Sequence, residues 1–206
     1  MAKGYCKICF KNIYDKMDFS TLLSTNSLIC PKCMSKFKLL NTKEKVLGVE
    51  TWFLYEYNQL VRKLIYQYKG CYDIELKDIF LYKFKDKIKR IYKGYTIIFP
   101  PSNSKEDEKR GYLHIEQIIK TLNMKYEVLF YKKREYKQSS NHYYERQKVK
   151  DYIEIIDKNK IKNIKYLIVD DIYTSGSTLK TIISLLIKNK VDKNNIKAIV
   201  IAKTIL

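Results

Sequence analysis

A chain of 206 residues has the length of one medium domain with a small appendage, and its 46% hydrophobic and 31% charged residues supply a core, which excludes wholesale disorder. Forty-one Lys and Arg against 22 Asp and Glu leave a formal charge of +19, so polyanions are the expected partners: nucleic acid, an anionic membrane surface or phosphorylated small molecules. No run of about 20 apolar residues is present to cross a bilayer, and the start has no apolar signal core, so no membrane insertion and a cytoplasmic location are expected.

The first forty-odd residues hold four of the five cysteines. Cys6-x2-Cys9 and Cys30-x2-Cys33 are two knuckles separated by twenty residues, the spacing of a four-thiolate zinc site. With all four ligands thiolate, no position stays open for water, so Zn2+ here is expected to be structural. A redox pair of C-x-x-C motifs is the competing reading, and the surrounding thioredoxin-like pattern is missing. Cys71 has no partner by spacing and reads as a small buried or neutral residue. A boundary near residues 41–45 divides a zinc-binding segment, 1–45, from an α/β domain, 46–206.

Beyond the boundary, residues 50–57 have the composition of a hairpin strand, and Leu60, Val61, Leu64, Ile65 and Tyr68 recur at helical spacing. A basic amphipathic helix is expected over 77–92, with Ile79, Phe80, Phe84, Ile88 and Ile91 inward. Residues 96–99, 166–169 and 198–202 are short, continuously apolar runs, as parallel strands covered on both faces require. Leu179, Ile182, Ile183, Leu186 and Ile187 form a helical stripe between the last two runs and complete a βαβ unit.

Chemistry concentrates at the end of the 166–169 strand. Asp170 and Asp171 stand where open α/β sheets bind ligands, followed by the hydroxyl-rich turn Thr174-Ser175-Gly176-Ser177-Thr178 entering a helix. Hydroxyls, a glycine that permits close approach and the free N–H groups of a helix start make a nest for a phosphate monoester. The carboxylates suit sugar hydroxyls or a bridging Mg2+. A ribose 5-phosphate meets both demands, whereas the glycine fingerprints of ATPases and dinucleotide folds are absent.

Residues 170–178 resemble the phosphoribosyl diphosphate (PRPP) motif of type I phosphoribosyltransferases. Together with the four-cysteine segment, they resemble the competence protein F (ComF/ComFC) family of DNA-uptake proteins. Tyr66-Gln67-Tyr68-Lys69-Gly70, Phe99-Pro100-Pro101-Ser102, Arg110-Gly111-Tyr112 and the stretch 131–149 are similar to segments of that family.

The resemblance implies a parallel sheet flanked by helices, of type I phosphoribosyltransferase kind, with a small zinc-ribbon-like domain before it. It implies that Asp170 and Asp171 meet the ribose hydroxyls as catalytic acids, that residues 174–178 cradle the 5-phosphate, and that Mg2+ accompanies PRPP. It further implies a role in natural transformation, with single-stranded DNA as a partner and a helicase-like competence ATPase as another. Ser102, Arg110, Lys132, Arg134 and Arg146 are the candidates for diphosphate or DNA. Cations mixed with tyrosines over 131–148 suit stacking on unpaired bases.

Active transfer of phosphoribose to a nitrogenous base is the alternative, and the residues leave it open. Thr174 stands where purine-salvage transferases carry a base-handling carboxylate. His114 and His142, the two histidines, read as surface or capping residues without a partner fixed by spacing.

Overall fold

The computed structural model describes residues 4–13, 27–133 and 153–205. Its centre is a five-stranded sheet in the order β1-β2-β7-β6-β3, built from β1 (Leu39–Val46), β2 (Val49–Glu56), β3 (Thr96–Ile98), β6 (Tyr166–Tyr173) and β7 (Ile196–Lys203). β2, β7, β6 and β3 pair in parallel, and β1 closes the edge antiparallel to β2. A separate two-stranded ribbon joins β4 (Phe130–Lys132) to β5 (Ile153–Ile155).

The three apolar runs expected as strands are β3, β6 and β7, buried on both faces because helices cover each side. α1 is the short helix Pro31–Met34; α2 (Gln59–Gly70), α3 (Lys85–Ile91), α4 (Ser104–Arg110), α5 (His114–Lys120) and α6 (Ser177–Lys188) follow. Side chains alternate along β6: Leu167 and Val169 enter the apolar cluster under α2 and α5, whereas Tyr166 and Ile168 enter the one under α6.

β1 was not visible as a strand, because only Val46 on it is buried. Val46 and Val49 pair across Leu47 and Gly48, both at positive φ, as a tight two-residue hairpin turn demands. This strand spans residue 45, and Ile13, Ile29 and Phe37 pack in the same cluster as Trp52 and Leu64.

The expected single helix over 77–92 is instead two 3-10 turns, Ile74–Asp78 and Tyr82–Phe84, followed by the shorter α3. Ile79, Phe80, Phe84 and Ile88 are buried as expected, but Ile91 and, on α6, Ile187 are exposed. At α6, Thr181 rather than Ile187 fills the buried face. Cys71 is exposed at the end of α2. Among the described residues no helix is long and apolar enough to cross a membrane.

Candidate functional site

The site is assembled at the C-terminal end of β6. Two successive strand residues point to opposite faces, so Asp171 turns toward α2 and α5 and Asp170 toward α6. Both are buried, and the strand continues to Tyr173 before the bend.

Asp171 meets a constructed set of partners. Lys69, in the last turn of α2, donates from Nζ to Asp171 Oδ2 at 2.6 Å, and His114 Nε2 lies 3.3 Å from the same oxygen. Arg110 Nη1 approaches His114 Nδ1 at 3.4 Å. A guanidinium can only donate, so Nδ1 accepts and the imidazole proton sits on Nε2, facing Asp171. Arg110 also donates to Asp107 Oδ1 at 2.9 Å and to the Lys69 carbonyl at 3.1 Å, and Ser102 Oγ donates to Asp107 Oδ2. Tyr68 and Tyr112 complete the frame: Tyr68 OH donates to the His114 carbonyl at 2.6 Å, and Tyr112 OH to the Tyr68 carbonyl at 2.9 Å.

Charge follows from these contacts. Burial pushes the Asp171 carboxyl up, but the Lys69 ammonium and the His114 hydrogen bond outweigh it and hold the group well below the usual carboxylate range. Burial and then the Asp171 charge raise Asp170 well above that range. Burial works against the Lys69 ammonium, yet Asp171 and then Asp170 hold its pKa above an ordinary lysine's. Burial depresses His114 despite the pull of Asp171, which keeps the imidazole neutral at pH 7. Of the two acids, Asp171 is the one whose carboxylate form the contacts favour, and Lys69 is its cationic partner.

This set does not fit a Mg2+ ion held by the two acids. Asp171 Oδ2 is taken by Lys69 and His114 and its Oδ1 accepts from the Ile172 N–H, while burial and the Asp171 charge raise the Asp170 carboxyl and weaken it as a donor to a hard cation.

Past the acids, the chain makes the bend. Thr174 and Ser175 are exposed, and Gly176 takes the left-handed φ of 72° as N-cap of α6. A Cβ there would stand 2.5 Å from the Tyr173 ring, so glycine is required by space as well as by φ. Glycine brings no side chain to cap the helix, which leaves first-turn N–H groups beyond that of Ser177 for a ligand. Ser175 Oγ reaches Ser177 Oγ at 3.2 Å and accepts from Ser177 N at 3.4 Å, while Lys180 Nζ donates to the Ser175 carbonyl at 3.3 Å.

The remaining candidates divide. The Arg110 guanidinium is buried and shared among protein groups, so it braces the site rather than facing solvent. Lys132 is exposed on β4, in the separate ribbon. Arg134 and Arg146 lie outside the described residues, with most of the 131–149 stretch and His142. Sequence reasoning gave Lys69 no role and read His114 as a surface or capping residue, whereas it is buried beside Asp171. For His114 the signal was its place on the apolar face of α5, one residue before Ile115 and four before Ile118.

At the other end of the chain, Cys6, Cys9, Cys30 and Cys33 bring their Sγ atoms within 4.8 Å of one another. Four converging sulfurs suit a metal such as zinc. Burial raises the Cys6 thiol, but backbone N–H groups of the two knuckles bring its pKa down to about 7. Burial and the neighbouring sulfurs raise Cys33, a conflict that a cation would relieve. Lys7, inside the first knuckle, pairs with Asp78 at 2.7 Å and Glu75 at 3.1 Å and ties the knuckle to the 3-10 turn after α2.

Residues 108–204 match the family model of the phosphoribosyl transferase domain. Over 88% of its length the chain is 26% identical to the competence protein ComFC of Streptococcus pneumoniae, 92% of which is covered. Among solved structures, a hypoxanthine phosphoribosyltransferase from Staphylococcus aureus is similar at TM-score 0.38 and 16% identity, over 62% of this chain and 61% of that one. A hypoxanthine-guanine phosphoribosyltransferase from Bacillus anthracis stands at TM-score 0.38 and 12% identity, over 62% and 66%. The chain thus spans about three fifths of the length of these two structures.

Proposed function

We propose that this relative of the competence protein ComFC, with its phosphoribosyl transferase domain and N-terminal four-cysteine cluster, works in DNA uptake as a module that binds a phosphorylated ribose and single-stranded DNA. The observation that carries the ribose reading is the bend itself. Exposed hydroxyls, a glycine fixed at φ 72° and an uncapped helix start adjoin a buried acid pair at the C-terminal end of the parallel strands.

In this reading Thr174, Ser175, Ser177 and Thr178, with the α6 N–H groups, hold the 5-phosphate. Asp170 and Asp171 meet the ribose hydroxyls, and Lys69 and His114 fix how Asp171 is presented. Mg2+ then arrives on the diphosphate of PRPP rather than on the acids. Zn2+ is the ion assigned to the cysteine cluster, holding the knuckles folded. The DNA reading draws on the net charge of +19 and on kinship with ComFC.

Calorimetry with PRPP and Mg2+, followed by a short single strand, tests both parts. PRPP heat is expected in the wild type and lost in a Ser175→Ala/Thr178→Val variant that still retains DNA; PRPP binding that ignores the bend would sink the reading. Transfer to a nitrogenous base is the second reading, supported by the domain match over residues 108–204. It requires diphosphate release from PRPP when bases are added, abolished in Asp170→Asn/Asp171→Asn.

A further inference from the structure

Lys69 is not placed as a surface lysine. Its carbonyl is gripped by Arg110 Nε at 3.1 Å, its neighbour Tyr68 is fixed at both its hydroxyl and its carbonyl, and its Nζ lies 2.6 Å from Asp171. The backbone position and the ammonium are each specified, by α4, α5 and β6 together. Such a built contact puts a single positive charge where two adjacent buried carboxylates would otherwise demand one from solution.

Resting on the sugar-phosphate reading above, we infer that Lys69 is the resident counter-cation of the acid pair. Its ammonium takes the place that a divalent ion would hold on Asp171, so the site accepts a sugar phosphate without a protein-bound metal. It becomes a metal site only when Lys69 is removed. His114 supports the arrangement as a neutral donor, adding no second charge to the same oxygen.

The charges balance in this form. Asp171 is met by Lys69 and Asp107 by Arg110, so an added divalent ion would bring positive charge beside an ammonium already in place. Replacing Lys69 with an uncharged chain reverses this: Asp171 Oδ2 then keeps His114 as its side-chain donor and loses its cation, and a hard cation with oxygen preference fits.

Thermal unfolding with Mg2+ alone as the probe separates the alternatives, since Mg2+ does not compete for the thiolate cluster. The wild type should show no saturable response. Lys69→Met should gain a rise of roughly 5–10 °C once Mg2+ exceeds its dissociation constant about a hundredfold, and Asp171→Asn added to Lys69→Met should abolish it. Lys69→Arg should stay unresponsive.

The inference is overturned if the wild type itself is stabilised saturably by Mg2+ and Asp171→Asn removes that response, a result that does not require Lys69→Met to fold. It is overturned equally if a folded Lys69→Met ignores Mg2+. A parallel titration with ribose 5-phosphate, which has no diphosphate to carry the ion, should give the same affinity with and without Mg2+, within about twofold. Absence of ribose 5-phosphate binding in both buffers would instead remove the sugar-phosphate reading and leave the Mg2+ arm to decide on Lys69.

Discussion

The two ends of the parallel sheet treat charge in opposite ways. At the C-terminal end, Lys69, Arg110, Asp107 and Asp171 are paired within a hydrogen-bonded frame. At the N-terminal end of β3 and β6, Lys89, Lys93, Lys125, Lys160 and Lys162 line two adjoining clefts of about 480 and 330 Å³. All five of these lysines are exposed, and the ion pair recorded there joins Lys125 to Glu127 at 3.2 Å. Buried, paired charge fixes geometry and selects a small ligand, whereas exposed cation density attracts any polyanion and is screened by salt. One count of +19 therefore covers two kinds of charge placement.

The largest expected difference between the ends is in stability. Asp171→Ala strands the Lys69 ammonium and leaves His114 Nε2–H without its acceptor, which should cost about 3 kcal/mol. Water still reaches Lys69, whose side chain is 30% exposed, and this keeps the figure at the low end for a broken ion pair. Lys160→Gln with Lys162→Gln should change stability by less than about 0.5 kcal/mol. Equal denaturant midpoints for the two variants would erase the contrast.

The lysine end should show itself in salt dependence. Replacing Lys93, Lys125, Lys160 and Lys162 with Gln should weaken single-stranded oligonucleotide binding about tenfold or more at low salt. It should also flatten the log–log salt slope by up to about 3, at roughly 0.7 per phosphate contact. Ribose 5-phosphate affinity should not move. An unchanged slope would show these lysines to be merely solvated, and would turn attention to Lys132 with Arg134 and Arg146.

How much of this was legible depended on the kind of signal each region carries. β3, β6 and β7 announced themselves because strands buried on both faces must be continuously apolar. The cysteine spacing and the bend at 174–178 were equally plain, since metal ligation and phosphate cradling constrain residue type at fixed intervals. β1 was hidden because an edge strand with seven of eight residues unburied has no apolar run to read. Lys69 was hidden among 41 basic residues, and nothing in the order of the chain says that its partner is 102 positions away. Arg110 was read as a diphosphate or DNA candidate, but its i,i+3 spacing to Asp107 within α4 suits an internal brace.

A smaller effect tests the bend. Gly176→Ala forces a side chain onto a backbone at φ 72° and against the Tyr173 ring, which packs edge-on to Phe53 at 5.0 Å. The expected cost is about 1–2 kcal/mol, with loss of ribose 5-phosphate binding and intact oligonucleotide binding. Parallel loss of both ligands would mean that the two ends are coupled.

The smallest expected effect is a pH dependence confined to the buried end. His114 is held below its ordinary pKa of 6.5, so between the two values the unfolded chain binds a proton that the folded chain does not. Stability contributed by neutral His114 is therefore present above about pH 6.5 and lost as pH falls toward the folded value, by up to about 1.4 kcal/mol per unit of depression. Asp170, raised in the folded state, contributes with the opposite sign: its stabilisation is present in acid and fades as pH rises through its folded pKa. Asp171, depressed, contributes at neutral pH and loses that contribution only in acid below the ordinary carboxylate range. His114→Gln keeps a side-chain donor toward Asp171 but cannot titrate, so the difference in unfolding free energy between wild type and variant should grow more unfavourable to the wild type from pH 7 to pH 5. A flat difference would show that His114 titrates alike in both states, and that the frame around Asp171 is open to water.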